Sequence, residues 1–88
     1  MFHTGSAFRG KELLANGWSI EQRDWLEFEK RALGAMHRKG GRGGWVPVLV
    51  DLTAGTVTVM SEQLFDTSRA ACDWNQTEAH RLGFKTNS

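Results

Sequence analysis

A single cysteine, Cys72, rules out an internal disulfide, and the N-terminal stretch MFHTGSAFRGKELL has neither the basic start nor the apolar block of a secretory signal. Both features predict a reducing, cytoplasmic setting. No run of 18 apolar residues occurs, so no helical membrane span is expected. Net charge is only +1, too little to argue for nucleic acid by itself. The charge is mildly uneven: residues 1–44 hold eight Lys/Arg against five Asp/Glu, and residues 45–88 hold three against five. Metal-binding spacing is missing as well. His3, His37, Cys72 and His80 stand far apart, with no CxxC, HxxxH or HExxH pattern, so neither a metal nor a cofactor is expected. No small-molecule ligand is implied either.

What remains is a chain of 88 residues, enough for one domain over 1–88 with a small core. Four tryptophans and five phenylalanines supply large apolar side chains, which argues against disorder. The clearest segment is WVPVLVDLTAGTVTVM, residues 45–60. It reads as a β-hairpin, with strands 45–52 and 56–60 and a turn Leu52-Thr53-Ala54-Gly55 in which Gly55 supplies a positive φ. That register pairs Val48 with Val59 and Val50 with Val57 on a core face. Pro47 cannot donate to a ladder, which predicts a free edge on its strand. Gln63-Leu64-Phe65 is a candidate continuation or further short strand.

Two helices are expected to cover the valine face. Residues 20–38 place Trp25, Leu26, Phe28, Ala32, Leu33, Ala35 and Met36 within about half a helical circumference, which predicts a long central helix with Ser19 as N-cap. Residues 68–82 predict a second helix, capped by Asp66 or Thr67 and ended by Gly83. Phe8–Ala15 reads as a short helix or turn with Leu13 and Leu14 inward, ended by Asn16-Gly17. The predicted class is α+β, a small antiparallel sheet packed on helices.

The hairpin's other face carries Trp45, Leu49 and Met60. A chain this short has little material to cover a second apolar face, so these three residues are the expected protein interface, serving a homodimer or another protein. The leading expectation is a small non-enzymatic interaction module. Its size and lack of motifs would suit a product of a mobile element such as a phage or gene cassette. The alternative is a nucleic-acid-binding protein using the basic, glycine-rich loop 37–45, with Arg38, Lys39 and Arg42 on phosphates and Trp45 on a base. Those glycines follow a predicted helix and lack a Gly-Lys-Ser/Thr ending, so no dinucleotide or P-loop signature exists. An enzyme is not expected. Glu29 inside the apolar arc and His37 are its only candidates, and Cys72 and His80 are two helical turns apart. A helix–turn–helix alignment on Gly17 places Glu12, Asn16 and Arg23 where apolar residues belong, and fails.

Gly44-Trp45, Phe65-Asp66-Thr67 and Ala70-Ala71-Trp74 together form an outline that resembles the strand–strand–helix domain of some phage integrases, which binds arm-type DNA sites. The resemblance spans about forty residues and implies DNA binding through the strands. Strands 45–52 and 56–60 hold no Lys or Arg, so no binding residue is carried over.

Overall fold

The computed structural model describes residues 3–38, 44–79 and 81–83. Its elements run β1 (Ala7–Arg9), α1 (Gly10–Ala15), β2 (Trp18–Phe28), β3 (Arg31–Arg38), β4 (Val46–Asp51), β5 (Thr56–Val59) and α2 (Ser68–Thr77). The strands form one antiparallel sheet in the order β1-β5-β4-β3-β2. The chain is therefore α+β, with five strands and two helices among the described residues.

Residues 20–38 are not a helix. They form a second hairpin, β2 to β3, closed by the two-residue turn Glu29-Lys30, with φ of 50° and 61°. Positive φ at both central residues is the twist that suits a two-residue hairpin, normally supplied by Asn-Gly. Here two non-glycine residues adopt it at a cost of about 1 kcal/mol each. Ser19, expected to cap a helix, pairs with His37 in the ladder instead. Replacing Glu29-Lys30 by Asn-Gly is expected to raise stability by about 1–2 kcal/mol, read as a Tm increase of several degrees in calorimetry.

The hairpin register explains why both faces of the sheet are apolar. Directly opposed residues share a face, so the sheet reads as rows. Ala32, Val50, Val57 and Phe8 make one inner row; Gly34, Val48 and Val59 make the next; Met36 and Val46 follow. The outer rows are Leu33, Leu49, Thr58 and Ala7, then Arg31, Asp51, Thr56 and Arg9. Between the pairs Glu21–Ala35 and Leu26–Leu33, β2 advances five positions while β3 advances two. The three extra residues form a bulge that reverses the alternation. Ile20 and Trp25 therefore both pack on the valine core, while Leu26 and Phe28 pack on the outer cluster.

The inner core holds Ala32, Met36, Val46, Val48, Val50, Val57 and Val59, with Leu13 of α1 as its plug. Leu13 is 5% exposed and Leu14 is 65% exposed, so only one of the two expected leucines points inward. α1 packs against both β1 and β2, the two edges of the sheet. A flat five-stranded sheet separates its edges by about 19 Å, whereas a six-residue helix is about 9 Å long. Phe8 of β1 and Trp18 of β2 nevertheless pack on the same core and line one cleft with α1, so the sheet is curled around the valine face and α1 bridges the seam. Asn16 ends α1 by donating from Nδ2 to the Glu12 carbonyl at 2.8 Å, and Gly17 follows at φ 86°.

The hairpin β4–β5 pairs Val48 with Val59 and Val50 with Val57, and its turn carries Gly55 at φ 70°. Asp51 Oδ1 tightens this turn by accepting from the amides of Thr53 and Ala54. The strands are shorter than 45–52 and 56–60. Trp45 lies outside β4, joined to Phe65 by an isolated bridge with amide-to-carbonyl distances of 2.7 and 2.9 Å. Gly44 is needed beside this bridge, because a Cβ there would lie 2.8 Å from the Phe65 carbonyl oxygen. Pro47 is not on a free edge. It is buried in β4, between β3 and β5, where its carbonyl accepts from the Met60 amide at 2.9 Å. At the second residue of the strand, one missing donor costs the ladder little.

α2 is also shorter than 68–82. Thr67 caps it by accepting from the Ala70 amide at 3.1 Å. Thr77 closes it, with its hydroxyl donating back to the Trp74 carbonyl at 2.6 Å. Turns follow at 78–79 and 81–83, and Gly83 takes φ 82°.

Candidate binding surface

The sequence places both helices on the valine face. The structure seats α2 on the opposite face, against β2, β3 and β4. Ala71 and Cys72 pack with Ala35, Trp45 and Phe65; Ala79 and Leu82 pack with Leu33, Leu26, Phe28 and Leu49. Between these clusters Asn75 is fully buried, and its Nδ2 donates to the Gly34 carbonyl at 2.7 Å and the Val48 carbonyl at 3.0 Å. This one amide fixes the helix over the β3–β4 junction. Its Oδ1 has no hydrogen-bond partner.

The three expected interface residues are thereby separated. Trp45 is half-buried beneath α2, with its ring centroid 4.0 Å from that of His37. Leu49 is half-buried at the α2 boundary. Met60 is half-buried just past the end of β5. They do not form one open patch, because α2 occupies the side on which Trp45 and Leu49 pack. The expectation that this chain lacks material to cover a second face is corrected over β2, β3 and β4, where α2 lies.

What α2 leaves uncovered is the outer face of β5 and β1. Thr56 and Thr58 of β5 and Ala7 and Arg9 of β1 share that face, bordered by Leu49 and Asp51 of β4. Ala7 and Arg9 are exposed, and the two threonines are half-buried. A short strand is one of the forms that residues 1–7 allow in sequence, but β1 runs Ala7–Arg9, into the segment that reads as the start of a helix or turn, because Ala-Phe-Arg carries no readable alternation. A basic and an acidic residue, Arg9 and Asp51, stand on either side of Thr56 in the same row.

Of the residues expected to meet nucleic acid, Arg38 is exposed at the end of β3, while Lys39 and Arg42 lie outside the described residues. Trp45 is engaged by His37, Phe65 and α2 within its own chain. The enzyme candidates are not brought together. Glu29 is exposed at the tip of the β2–β3 turn, and His37 lies at the other end of β3, about 20 Å along the strand. Cys72 is buried, and His80 lies outside the described residues. Among the described residues, no three His, Cys, Asp or Glu side chains cluster in a way that could hold a metal ion, and no helix is long and apolar enough to cross a membrane.

Comparison of the chain with protein-family models, curated proteins and solved structures finds no match.

Proposed function

We propose that this chain is a small non-enzymatic interaction module that pairs with a second copy of itself through the outer face of β5 and β1. The observation that supports this reading is the incomplete second layer: α2 seats on β2, β3 and β4, and among the described residues no helix seats on the outer face of β5 and β1. Leu49 and Met60, expected from sequence to lie in an interface, border this face rather than fill its centre. The centre is Thr56, Thr58 and Ala7, small side chains that permit close sheet-to-sheet approach.

The face is self-complementary in charge. A two-fold axis passing near Thr58 brings Arg9 of one copy toward Asp51 of the other, and the contact repeats by symmetry. β1 has three residues and β5 has four, so the buried area falls well below a standard interface. The expected association is therefore weak, with a Kd on the order of 100 µM. Sedimentation equilibrium from about 10 µM to about 1 mM is expected to show a monomer–dimer transition in this range. Thr58→Arg is expected to return the chain to monomer with its unfolding temperature unchanged. A single monomeric species at the highest concentration would overturn the reading.

A further inference from the structure

The seam of the curled sheet holds a cleft of about 400 Å³, lined by Phe8 of β1, Glu12, Leu13 and Asn16 at α1, and Trp18 of β2. It lies away from the outer face discussed above, since Phe8, Leu13 and Trp18 all belong to the inner core side. Its volume falls within the range of small-ligand sites. Its lining divides by chemistry. Phe8 and Trp18 come from opposite edges of the sheet and supply two aromatic surfaces, and Leu13 supplies the apolar floor. Among the described residues, Glu12 is the only ionisable one in the lining; it is exposed, and its carboxylate makes no ion pair or hydrogen bond with any of them. Asn16 commits Nδ2 to the Glu12 carbonyl, which leaves its Oδ1 as a second acceptor.

We infer that this cleft binds an alkylated ammonium ion. Aromatic rings attract a cation through their negative faces, and a methylated ammonium presents apolar methyl groups with the charge spread over them. A carboxylate at the rim supplies the counter-charge. A metal ion does not suit the site, because one carboxylate and one amide oxygen are too few ligands. An anion does not suit it either, because the described lining residues include a carboxylate and no cation. Arg9 and Lys11 precede Glu12 in sequence but are not part of the lining, so they temper the local potential without supplying a ligand contact.

The test uses the whole chain and three probes: choline, its neutral isostere 3,3-dimethylbutan-1-ol, and a short peptide bearing trimethyllysine. The readout is the indole N–H signal of Trp18 in two-dimensional NMR, assigned with Trp18→Phe. Choline is expected to shift this signal saturably with a Kd in the millimolar range, while the neutral isostere binds at least about tenfold more weakly. Glu12→Gln, a change at an exposed side chain that leaves the fold intact, is expected to weaken choline about fivefold, whereas Lys11→Gln does not weaken it. Tighter binding of the peptide than of choline would support a protein-borne ligand, and the reverse would support a free small molecule. Equal affinity for choline and its isostere would overturn the inference. So would no movement of the Trp18 signal with either cationic probe at about 20 mM.

Discussion

Asn75→Asp is expected to cost about 3–5 kcal/mol at neutral pH, enough to remove much of the stability of a domain this size. The substitution hardly changes shape. It replaces an amide that donates to the Gly34 and Val48 carbonyls with a carboxylate that faces the same two oxygens, inside a layer with no solvent access. Burial and the facing carbonyls would raise the new carboxyl's pKa in the folded state above its unfolded value of about 3.9. A raised folded pKa means the ionisation part of the penalty is absent below about pH 4 and grows by about 1.4 kcal/mol per pH unit above it, until the folded-state pKa is reached. In acid the protonated carboxyl donates to one of the two carbonyls and recovers part of the lost bonding. Urea unfolding followed by tryptophan fluorescence at pH 4 and pH 7 checks both magnitude and sign. A variant as stable as the parent at pH 7 would show that α2 is not held by this amide.

Gly34→Val is expected to cost about 3 kcal/mol. Gly34 is the middle residue of β3 and faces the valine core, opposite Val48. A Cβ at this position would lie 3.2 Å from the Trp25 Cβ and 3.6 Å from its ring. The β2 bulge sends Trp25 inward at this point, and only a missing side chain on β3 makes room for it. Gly34→Ala introduces one tight contact and is expected to cost about 1 kcal/mol. Valine adds two methyl groups that have nowhere to go except against the indole. Chemical denaturation of the two variants is expected to rank them alanine above valine. A valine variant as stable as the parent would mean that the bulge can relax without loss.

The valine pairing of β4 and β5 is legible because the strands are β-branched and their turn contains a glycine. The cap at Thr67 is legible for the same local reason, a hydroxyl followed by a free amide three residues on. The β2–β3 hairpin is not legible, and the causes are specific. Its turn uses Glu29 and Lys30, which carry no turn signature. Its strands contain Leu, Ala, Met and Glu, whose intrinsic preference is helical, and tertiary pairing overrides that preference. Because β3 is covered on both faces, its apolar residues run consecutively from Ala32 to Met36, interrupted only by Gly34, and such a run fits a broad helical arc as well as a buried strand.

The conformation of residues 20–38 decides which face of the sheet stays open. A helix over residues 20–38 would cover the valine face and leave the face of Trp45 and Leu49 open. With those residues forming two strands, the valine face closes on Phe8, Leu13, Trp18, Ile20 and Trp25, and α2 is released to cover the other side. The seam cleft is invisible in sequence because Phe8 and Trp18 meet only through the curl of the sheet, although both lie close to Glu12 along the chain.

Strands β2 to β5 follow one another as neighbours, and only β1 reaches the far side of the sheet to dock on β5. Pairings between consecutive strands close short loops and form early, whereas the Phe8–Val57 contact must close a loop of nearly fifty residues. The N-terminal strand is thus expected to be the last to assemble and the first to leave. Whenever it detaches, the backbone of β5 is bared as a sticky rim on which another molecule can template, so misassembly of this chain begins at its first ten residues.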